Sequence, residues 1–150
     1  MFKVSKILVP IDLSDCSRSA LSHALSLAEQ FGASIDALLV AEVPAFRNEP
    51  RVAKEGGTVS LRAYALEVAT TDLDTFLGHL EPAQRERVSA RVDAGKPREC
   101  ILQHAQRDHY DLIVMGTHGR TGRVHSFAGS VAESIVRSAP CPVLTVRGAY

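Results

Sequence analysis

Short apolar runs rich in β-branched residues alternate with helical patterns along this chain, and this alternation limits the fold more than any other feature. The first run is Lys6–Ile11, and further runs lie at 35–43 and 111–115. Strands that are apolar at almost every position are typical of a parallel sheet covered on both faces. Apolar residues at 20–31 recur with helical spacing, and Gly32 predicts the end of that helix.

The remaining segments continue the alternation. A helix is predicted over 60–80, where the expected buried stripe is Val68, Leu73, Phe76, Leu77 and Leu80. Alternating apolar and polar residues at 88–93 predict a half-exposed edge strand, and a helix follows Pro97. Residues 44–59, which contain two prolines and two glycines, predict an irregular, mobile loop.

The last helix and strand have clear start signals. Ser130 and Glu133 match the Ser-x-x-Glu capping box that begins many helices, and an apolar strand lies at 143–146. The predicted order is therefore β-α-β-α-β-α-β-α-β. This order indicates an α/β protein with three layers, α/β/α, around a five-stranded parallel sheet with right-handed crossovers. A chain of 150 residues predicts a single domain over 1–150.

Charge and composition exclude several classes of partner. Seventeen Lys and Arg residues balance seventeen Asp and Glu residues, which argues against a nucleic-acid coat and against a polybasic membrane anchor. Aromatic residues make up 5% of the chain and Trp is absent, so a binder of single-stranded nucleic acid is disfavoured. The first apolar run is too short for a signal peptide, and we expect a soluble, cytoplasmic protein.

Cysteines and histidines give no pattern of a metal site. The three cysteines are widely spaced, which predicts reduced thiols used for packing. His104 and His109 are interpreted as ordinary surface residues of a helix and a turn. Neither a protein metal site nor a catalytic residue is predicted.

The segment 116–129 carries the strongest chemical signal. It is rich in glycine and lies between a buried strand and the capped helix, so that backbone N–H groups and a helix N-terminus can face an anion. The twenty-one residues from 112 to 132 include two arginines and two histidines but no carboxylate. Taken alone, a glycine-rich loop after a strand is more often a tight connection, but the three features together favour a phosphate site. Neither GxxxxGK[ST] nor GxGxxG is present.

Three stretches of the sequence resemble the universal stress protein family. They are Ile-Leu-Val-Pro-Ile-Asp at 7–12, Asp-Leu-Ile-Val-Met-Gly-Thr-His-Gly at 111–119, and Ala-Pro-Cys-Pro-Val-Leu-Thr-Val at 139–146. The resemblance covers essentially the whole chain. Its most specific part is the nucleotide signature G-x2-G-x9-G-[ST], which Gly116, Gly119, Gly129 and Ser130 match in full. The chain thus resembles the ATP-binding members of the family.

The resemblance implies a Rossmann-like fold of the adenine nucleotide alpha hydrolase type with sheet order 3-2-1-4-5. Strands 1 and 4 then flank the topological switch point, where open α/β sheets bind ligands. The resemblance further implies that Pro10, Ile11 and Asp12 border adenine and ribose, that Val40 meets adenine through its backbone, and that Met115 closes the apolar side. By the same resemblance, ribose and phosphates are lined by Gly116, Gly119, Gly129, Ser130 and Val131, with His118 and Arg120 as further contacts.

The expected ligand is ATP, with AMP or ADP as alternatives, and Mg²⁺ or Mn²⁺ could bridge the phosphates. The favoured hypothesis is a regulatory stress-response protein whose nucleotide state orders the loop at 116–129. The alternatives are a slow ATPase or phosphoryl or adenylyl transferase, and a nucleotide-free interaction protein. For an enzyme, Asp12 is the main acidic candidate and Glu42 a remote second. Asp12 could instead only begin the turn that caps the first helix.

A further expectation concerns assembly. The last strand, with Val143, Leu144, Thr145 and Val146, is apolar and uncharged, and such a strand is hazardous when its edge is exposed. The resemblance implies a homodimer that pairs through this strand. The alternative is an edge covered by the chain's own loop.

Overall fold

The computed structural model describes residues 1–118 and 129–148. Within these residues the chain forms seven strands and five helices. The strands are β1 (Lys6–Ile11), β2 (Ser34–Glu42), β3 (Arg51–Lys54), β4 (Gly57–Ser60), β5 (Val88–Gly95), β6 (Leu112–Gly116) and β7 (Val143–Val146). The helices are α1 (Asp15–Phe31), α2 (Leu61–Leu77), α3 (Pro82–Glu86), α4 (Pro97–Arg107) and α5 (Ser130–Ser138).

Five of the strands form a parallel sheet in the order β5-β2-β1-β6-β7. This is the predicted order 3-2-1-4-5 when only the sheet strands are numbered, and the predicted α/β fold is confirmed. β5 is at one edge, as its alternating sequence predicted. β1 and β6 are neighbours in the centre, so the direction of winding changes between them.

The central strands are apolar at successive positions because both faces of the sheet are covered. Ile7 and Val9 pack with α1 and α2 on one face, while Leu8 packs with α4 and α5 on the other. Burying these large side chains on both sides contributes about 25 cal/mol per Å² of apolar surface removed from water. The continuous runs in the sequence therefore encode a three-layer structure.

The segment 44–59 differs from the irregular loop that was predicted. Residues 51–54 and 57–60 form an antiparallel hairpin in which Val52 faces Val59. Gly56 and Gly57 make the turn with φ of +86° and +146°, which are conformations that favour glycine. The strands are too short and too polar to show a clear alternating pattern, so the pair of glycines was interpreted as a sign of irregular structure.

Helix boundaries follow the capping signals in part. Ser14 caps α1 by accepting a hydrogen bond of 3.1 Å from the Ser17 N–H, and Gly32 ends it with φ of +69°. α2 is shorter than predicted and ends at Leu77, and the short helix α3 was not predicted.

Candidate functional site

A cavity of about 630 Å³ lies at the carboxyl ends of β1, β2 and β6. This is the edge of the sheet at which the winding direction changes, where ligands of open α/β sheets bind. Helix α2 borders the cavity on one side of the sheet, and the first turns of α4 and α5 border it on the other. Such a volume lies within the range of about 300–1,000 Å³ that is common for small-molecule sites.

Ten of the twelve predicted nucleotide contacts line this cavity. They are Pro10, Ile11, Asp12, Val40, Met115, Gly116, His118, Gly129, Ser130 and Val131. The remaining two, Gly119 and Arg120, lie outside the described residues. Residues far apart in the sequence are thus brought together at one place, while their role in binding stays a prediction.

Asp12 follows β1 and organises the turn into α1. Its Oδ1 accepts a hydrogen bond of 3.0 Å from the Ser14 N–H and a second, short one from the Ser14 hydroxyl. Ser14 in turn caps α1. Asp12 therefore begins the turn that leads to the cap of α1, as the alternative interpretation predicted, and it also lines the cavity. The turn includes Leu13 at φ +67°, an unusual conformation for a bulky side chain that marks local strain beside the cavity.

The start of α5 differs from the predicted capping box. Gly129, and not Ser130, is the N-cap residue, and no side chain caps this helix within the described residues. Glu133 instead forms an ion pair of 2.9 Å with Arg137, one turn further along. The sequence pattern failed because the cap lies one residue earlier than the pattern requires. Ser130 is consequently the first helical residue, and it is exposed at the cavity.

The end of β6 joins the same site. The buried Thr117 donates its backbone N–H to the carbonyl of Val146 over 3.0 Å, and its carbonyl accepts a short hydrogen bond from the Gly129 N–H. The Thr117 hydroxyl pairs with Nδ1 of His118 over 2.9 Å. Thr117 therefore fixes both the strand end and the helix start, a role that sequence reasoning did not assign to it.

The N-terminus of α5 presents backbone donors to the cavity. The first helical N–H groups, which include those of Ser130 and Val131, have no acceptor within the helix. Since the Gly129 N–H is bonded to Thr117, the donors that can face an anion are those of the first helical turn.

Gly116 has a packing role in addition to the nucleotide contact that the family resemblance implies for it. A Cβ at this position would lie 2.7 Å from Sγ and 3.0 Å from the backbone carbon of Cys16. The glycine is thus required by the close approach of β6 to the first turn of α1. The sequence could not show this contact, because Cys16 and Gly116 are one hundred residues apart.

The charges of the described lining are all negative. Asp12, Glu42 and Asp72 line the cavity, and no lysine or arginine of the described residues does so. Of the basic residues that the sequence indicated, His118 lines the cavity, whereas Arg120, Arg123 and His125 lie outside the described residues. Within the described part, therefore, the backbone donors of α5 provide the attraction for an anion.

The contribution of α2 was missed by the sequence analysis. Six of its residues line the cavity, namely Leu61, Tyr64, Ala65, Val68, Ala69 and Asp72. Val68 was predicted to be buried, but it is 40% exposed at the cavity, while the neighbouring Ala69 is buried. The spacing of Leu61, Tyr64, Ala65 and Val68 was the available signal, because residues at i, i+3, i+4 and i+7 share one helix face.

A polar cluster beside the cavity links β5 to α4. His104, predicted to be a surface residue, is 7% exposed, and its Nε2 lies 3.0 Å from Oδ2 of Asp93. Its Nδ1 lies 3.2 Å from Nη2 of Arg107, so both ring nitrogens have a polar partner. The prediction was wrong because the partner, Asp93, comes from another element.

Several pKa values reflect this cluster. Burial raises the pKa of Asp93, but hydrogen bonds from the Ala94 N–H and from His104 outweigh it, so that the net pKa is below 3.8. Burial, followed by the charge of Asp93, raises the pKa of the Cys100 thiol. Cys100 therefore stays protonated at neutral pH and is a poor nucleophile. The cluster is consistent with a structural role.

Membrane-spanning helices and clusters of metal-ligating side chains are both absent from the described residues. Neither 1–118 nor 129–148 contains a helix that is long and apolar enough to cross a membrane. The same residues hold no group of three or more His, Cys, Asp or Glu side chains that could bind a metal ion.

The fold and the cavity define a doubly wound α/β protein with a cleft at its topological switch point. Comparison with known proteins is consistent with this class. The family model described as the universal stress protein family matches residues 3–147. The chain belongs to the universal stress protein family.

Individual relatives align with almost the whole chain. A universal stress protein of Thermus aquaticus is 34% identical over 148 residues, which are 98% of this chain and 100% of the relative. Another, from Methanocaldococcus jannaschii, is 32% identical and aligns with 95% of this chain and 81% of its own length. The solved structure of UspA from Lactobacillus plantarum has a TM-score of 0.67 at 26% identity, with 97% of this chain and 99% of that chain covered.

One structural neighbour contains a ligand. It is a universal stress protein in complex with cAMP, with a TM-score of 0.59 and 20% identity, and 98% of this chain and 99% of that chain are covered. At this identity the likeness shows the shared fold.

Proposed function

We propose that this protein binds an adenine nucleotide, with ATP as the first candidate and ADP and AMP as alternatives, in the cavity at the ends of β1, β2 and β6. One observation carries the proposal: ten residues that the family resemblance implies as nucleotide contacts line this one cavity. The relative that binds cAMP gives independent support for an adenine nucleotide in this fold. The regulatory role proposed here is that the bound nucleotide changes the surface presented to a partner.

The shape of the cavity suits the parts of a nucleotide. Phosphates would meet the backbone N–H groups of Ser130 and Val131, where the helix dipole favours negative charge. Asp12 lies between this end and β2, where its carboxylate can accept hydrogen bonds from ribose hydroxyls. Val40 supplies apolar surface for the base, and Met115 closes the apolar side of the cavity.

A divalent cation fits this arrangement. Mg²⁺ in nucleotide sites is usually held by one or two carboxylates together with phosphate oxygens and water. Asp12 would provide the carboxylate, and the Ser130 hydroxyl is a second oxygen at the same cavity. The ion would neutralise phosphate charge near the three carboxylates of the lining.

Slow ATP hydrolysis is the second candidate function. The observation that favours it is that Asp72 lines the cavity together with Asp12 and Glu42, so that one more acidic group is present than the sequence indicated. Oδ1 of Asp12, however, already accepts two hydrogen bonds from Ser14, so this oxygen is engaged in the turn before α1. We therefore infer a binding protein with slow turnover at most.

The decisive experiment is isothermal titration calorimetry of the purified protein with ATP, ADP, AMP and cAMP, with and without Mg²⁺. Asp12→Asn keeps the Oδ1 acceptor of the turn but removes the charge, and we expect it to weaken ATP binding about tenfold through the loss of a charge-assisted contact. Asp74→Asn is the matched control, since Asp74 is on α2 but does not line the cavity.

The outcomes separate the alternatives. Absence of nucleotide binding by the unmodified protein would contradict the proposal and favour a nucleotide-free interaction protein. If Asp12→Asn and the unmodified protein bind ATP with equal affinity, neither the ribose nor the metal ion is held by Asp12. Multiple-turnover phosphate release that disappears in the Asp12 variant would make the protein an enzyme.

We also propose that two copies pair through β7. In the described residues β7 pairs with β6 only, and Leu144 on it is 39% exposed. Val136 on α5, a helix that contacts β7, is a second exposed apolar side chain near this edge of the sheet, at 54%. A second copy would cover both.

A cytoplasmic location is part of the proposal, and the free thiols of Cys16, Cys100 and Cys141 suit a reducing compartment.

A further inference from the structure

Helix α2 presents an apolar surface to the cavity that the fold itself does not bury. Leu61, Tyr64, Ala65 and Val68 lie on one face, and we call these four residues the α2 wall. Tyr64 and Val68 are each 40% exposed. The packing of α2 on the sheet is provided by other residues, namely Ala69, Leu73, Phe76 and Leu77. The α2 wall is therefore available for a ligand.

The α2 wall is held in a fixed position. Arg62, between two of its residues, donates hydrogen bonds to Oδ1 of Asp93 over 3.1 Å and to the carbonyl of Ala94 over 2.5 Å. The backbone N–H of Arg62 donates to Glu49 over 2.7 Å. These contacts tie the first turn of the helix to the end of β5 and to the preceding loop. A surface that is already ordered loses little conformational entropy when a ligand binds to it.

The sheet order places the α2 wall far from the phosphate end. α2 packs on β2 and β5, whereas α5 follows β6 and contacts β7. Two strand spacings separate β6 from β2, which is about 10 Å. A nucleotide whose phosphates lie at the N-terminus of α5 and whose body runs across the strand ends would bring its base to α2.

Charge supports the same direction. Glu42 at the end of β2 and Asp72 on α2 both line the cavity on this side. Two carboxylates repel a triphosphate and so disfavour the reverse orientation. The base, which is the uncharged, planar end of the nucleotide, can approach these carboxylates and α2 without this repulsion.

We propose that the α2 wall is the binding surface for the base of the nucleotide and that the ring of Tyr64 stacks on it. This inference rests on the proposed nucleotide function and specifies a residue that the signature does not contain. Aromatic rings hold nucleobases by stacking, which tolerates different bases because each has a planar face. Tyr64 is thus a specificity residue for a base-containing ligand over inorganic phosphates.

The test compares Tyr64→Ala with Tyr64→Phe in the full-length protein. We measure the dissociation constant for ATP by calorimetry and the affinity for inorganic tripolyphosphate by its competition with ATP. Phe31→Ala is the matched control, because Phe31 is an aromatic residue that is 53% exposed on α1 and does not line the cavity. Because Tyr64 is not part of the core, we expect each variant to fold, with a circular dichroism spectrum like that of the unmodified protein.

We expect Tyr64→Ala to weaken ATP binding about tenfold, in the range known for base stacking, and to leave tripolyphosphate affinity within about twofold. Tyr64→Phe and Phe31→Ala should bind ATP like the unmodified protein. The inference is overturned if Tyr64→Ala binds ATP normally, or if it loses ATP and tripolyphosphate to the same degree. If the unmodified protein binds ATP and Tyr64→Ala binds it equally well, only this inference is refuted. If the unmodified protein binds no nucleotide, the proposed function is refuted as well.

Discussion

Replacing Gly116 with alanine would add a methyl group where β6 and α1 leave no room. The added Cβ would lie 2.7 Å from Sγ, 3.0 Å from the backbone carbon and 3.1 Å from Cβ of Cys16. Favourable contacts between such atoms begin at about 3.5 Å. The methyl group can therefore be accommodated only if the first turn of α1 or the end of β6 moves by roughly 0.8 Å.

The expected cost follows from this overlap. Overpacking of a well-packed site costs about 1–3 kcal/mol, and we expect about 2 kcal/mol here because two of the three contacts involve backbone or Cβ atoms, which cannot rotate away. In a chain of this size, 2 kcal/mol lowers the Tm by about 4–8 °C. Combining Gly116→Ala with Cys16→Ala removes the Sγ contact but keeps the backbone contact at 3.0 Å, so it should restore only part of the loss.

Differential scanning calorimetry and urea unfolding measure these changes. Gly148→Ala is the matched control, because its Cβ would meet the same Cys16 at 3.7 Å, an ordinary contact distance. This variant should unfold like the unmodified protein. The reasoning is refuted if Gly116→Ala is as stable as the unmodified protein, or if Gly148→Ala is equally destabilised.

Two further predictions concern the surface. His109 is exposed and has φ of +52°, a conformation that is strained for a residue with a side chain. His109→Gly should therefore stabilise the protein by about 1 kcal/mol and raise its Tm by about 2–4 °C in a melting experiment. His79→Gly is the control and should give no gain, because φ of His79 is not positive. Leu144→Lys should convert the proposed dimer into a monomer in sedimentation velocity, while Phe31→Lys, away from β7, should leave it unchanged; a monomeric unmodified protein would contradict the pairing.

Local signals in the sequence predicted the elements that depend on burial patterns. The run at Lys6–Ile11 is apolar on both faces because β1 is central, and the alternation at 88–93 reflects an edge strand with one face more exposed. The end of α1 at Gly32 was predicted because it depends on the glycine's own φ of +69° and on a backbone hydrogen bond to Ala28, four residues away. These predictions succeeded since the interactions behind them are close in sequence.

Predictions failed where a distant residue decided the outcome. The spacing of Val68 fits a buried helical stripe, but Val68 lies beside the cavity and is exposed. The α2 wall, to which Val68 belongs, can be identified only when the position of α2 relative to β2 is known. His104 looks like a surface residue until Asp93 of β5 is placed beside it. Ser130 and Glu133 match a capping box, yet the bond between Thr117 and Gly129 sets the start of α5 one residue earlier.

The sequence by itself determined the class of fold, and through family resemblance it also determined the order of the sheet and ten of the residues that line the cleft. Hydrophobic periodicity and glycine spacing are local properties, so they can be recognised in the sequence without knowledge of the fold. The tertiary structure alone decided that Gly116 makes room for Cys16, that α2 supplies an apolar wall, and that the described lining is acidic. Each of these depends on the distance between residues that are far apart in the chain, and only the packing of helices on both faces of the sheet sets that distance.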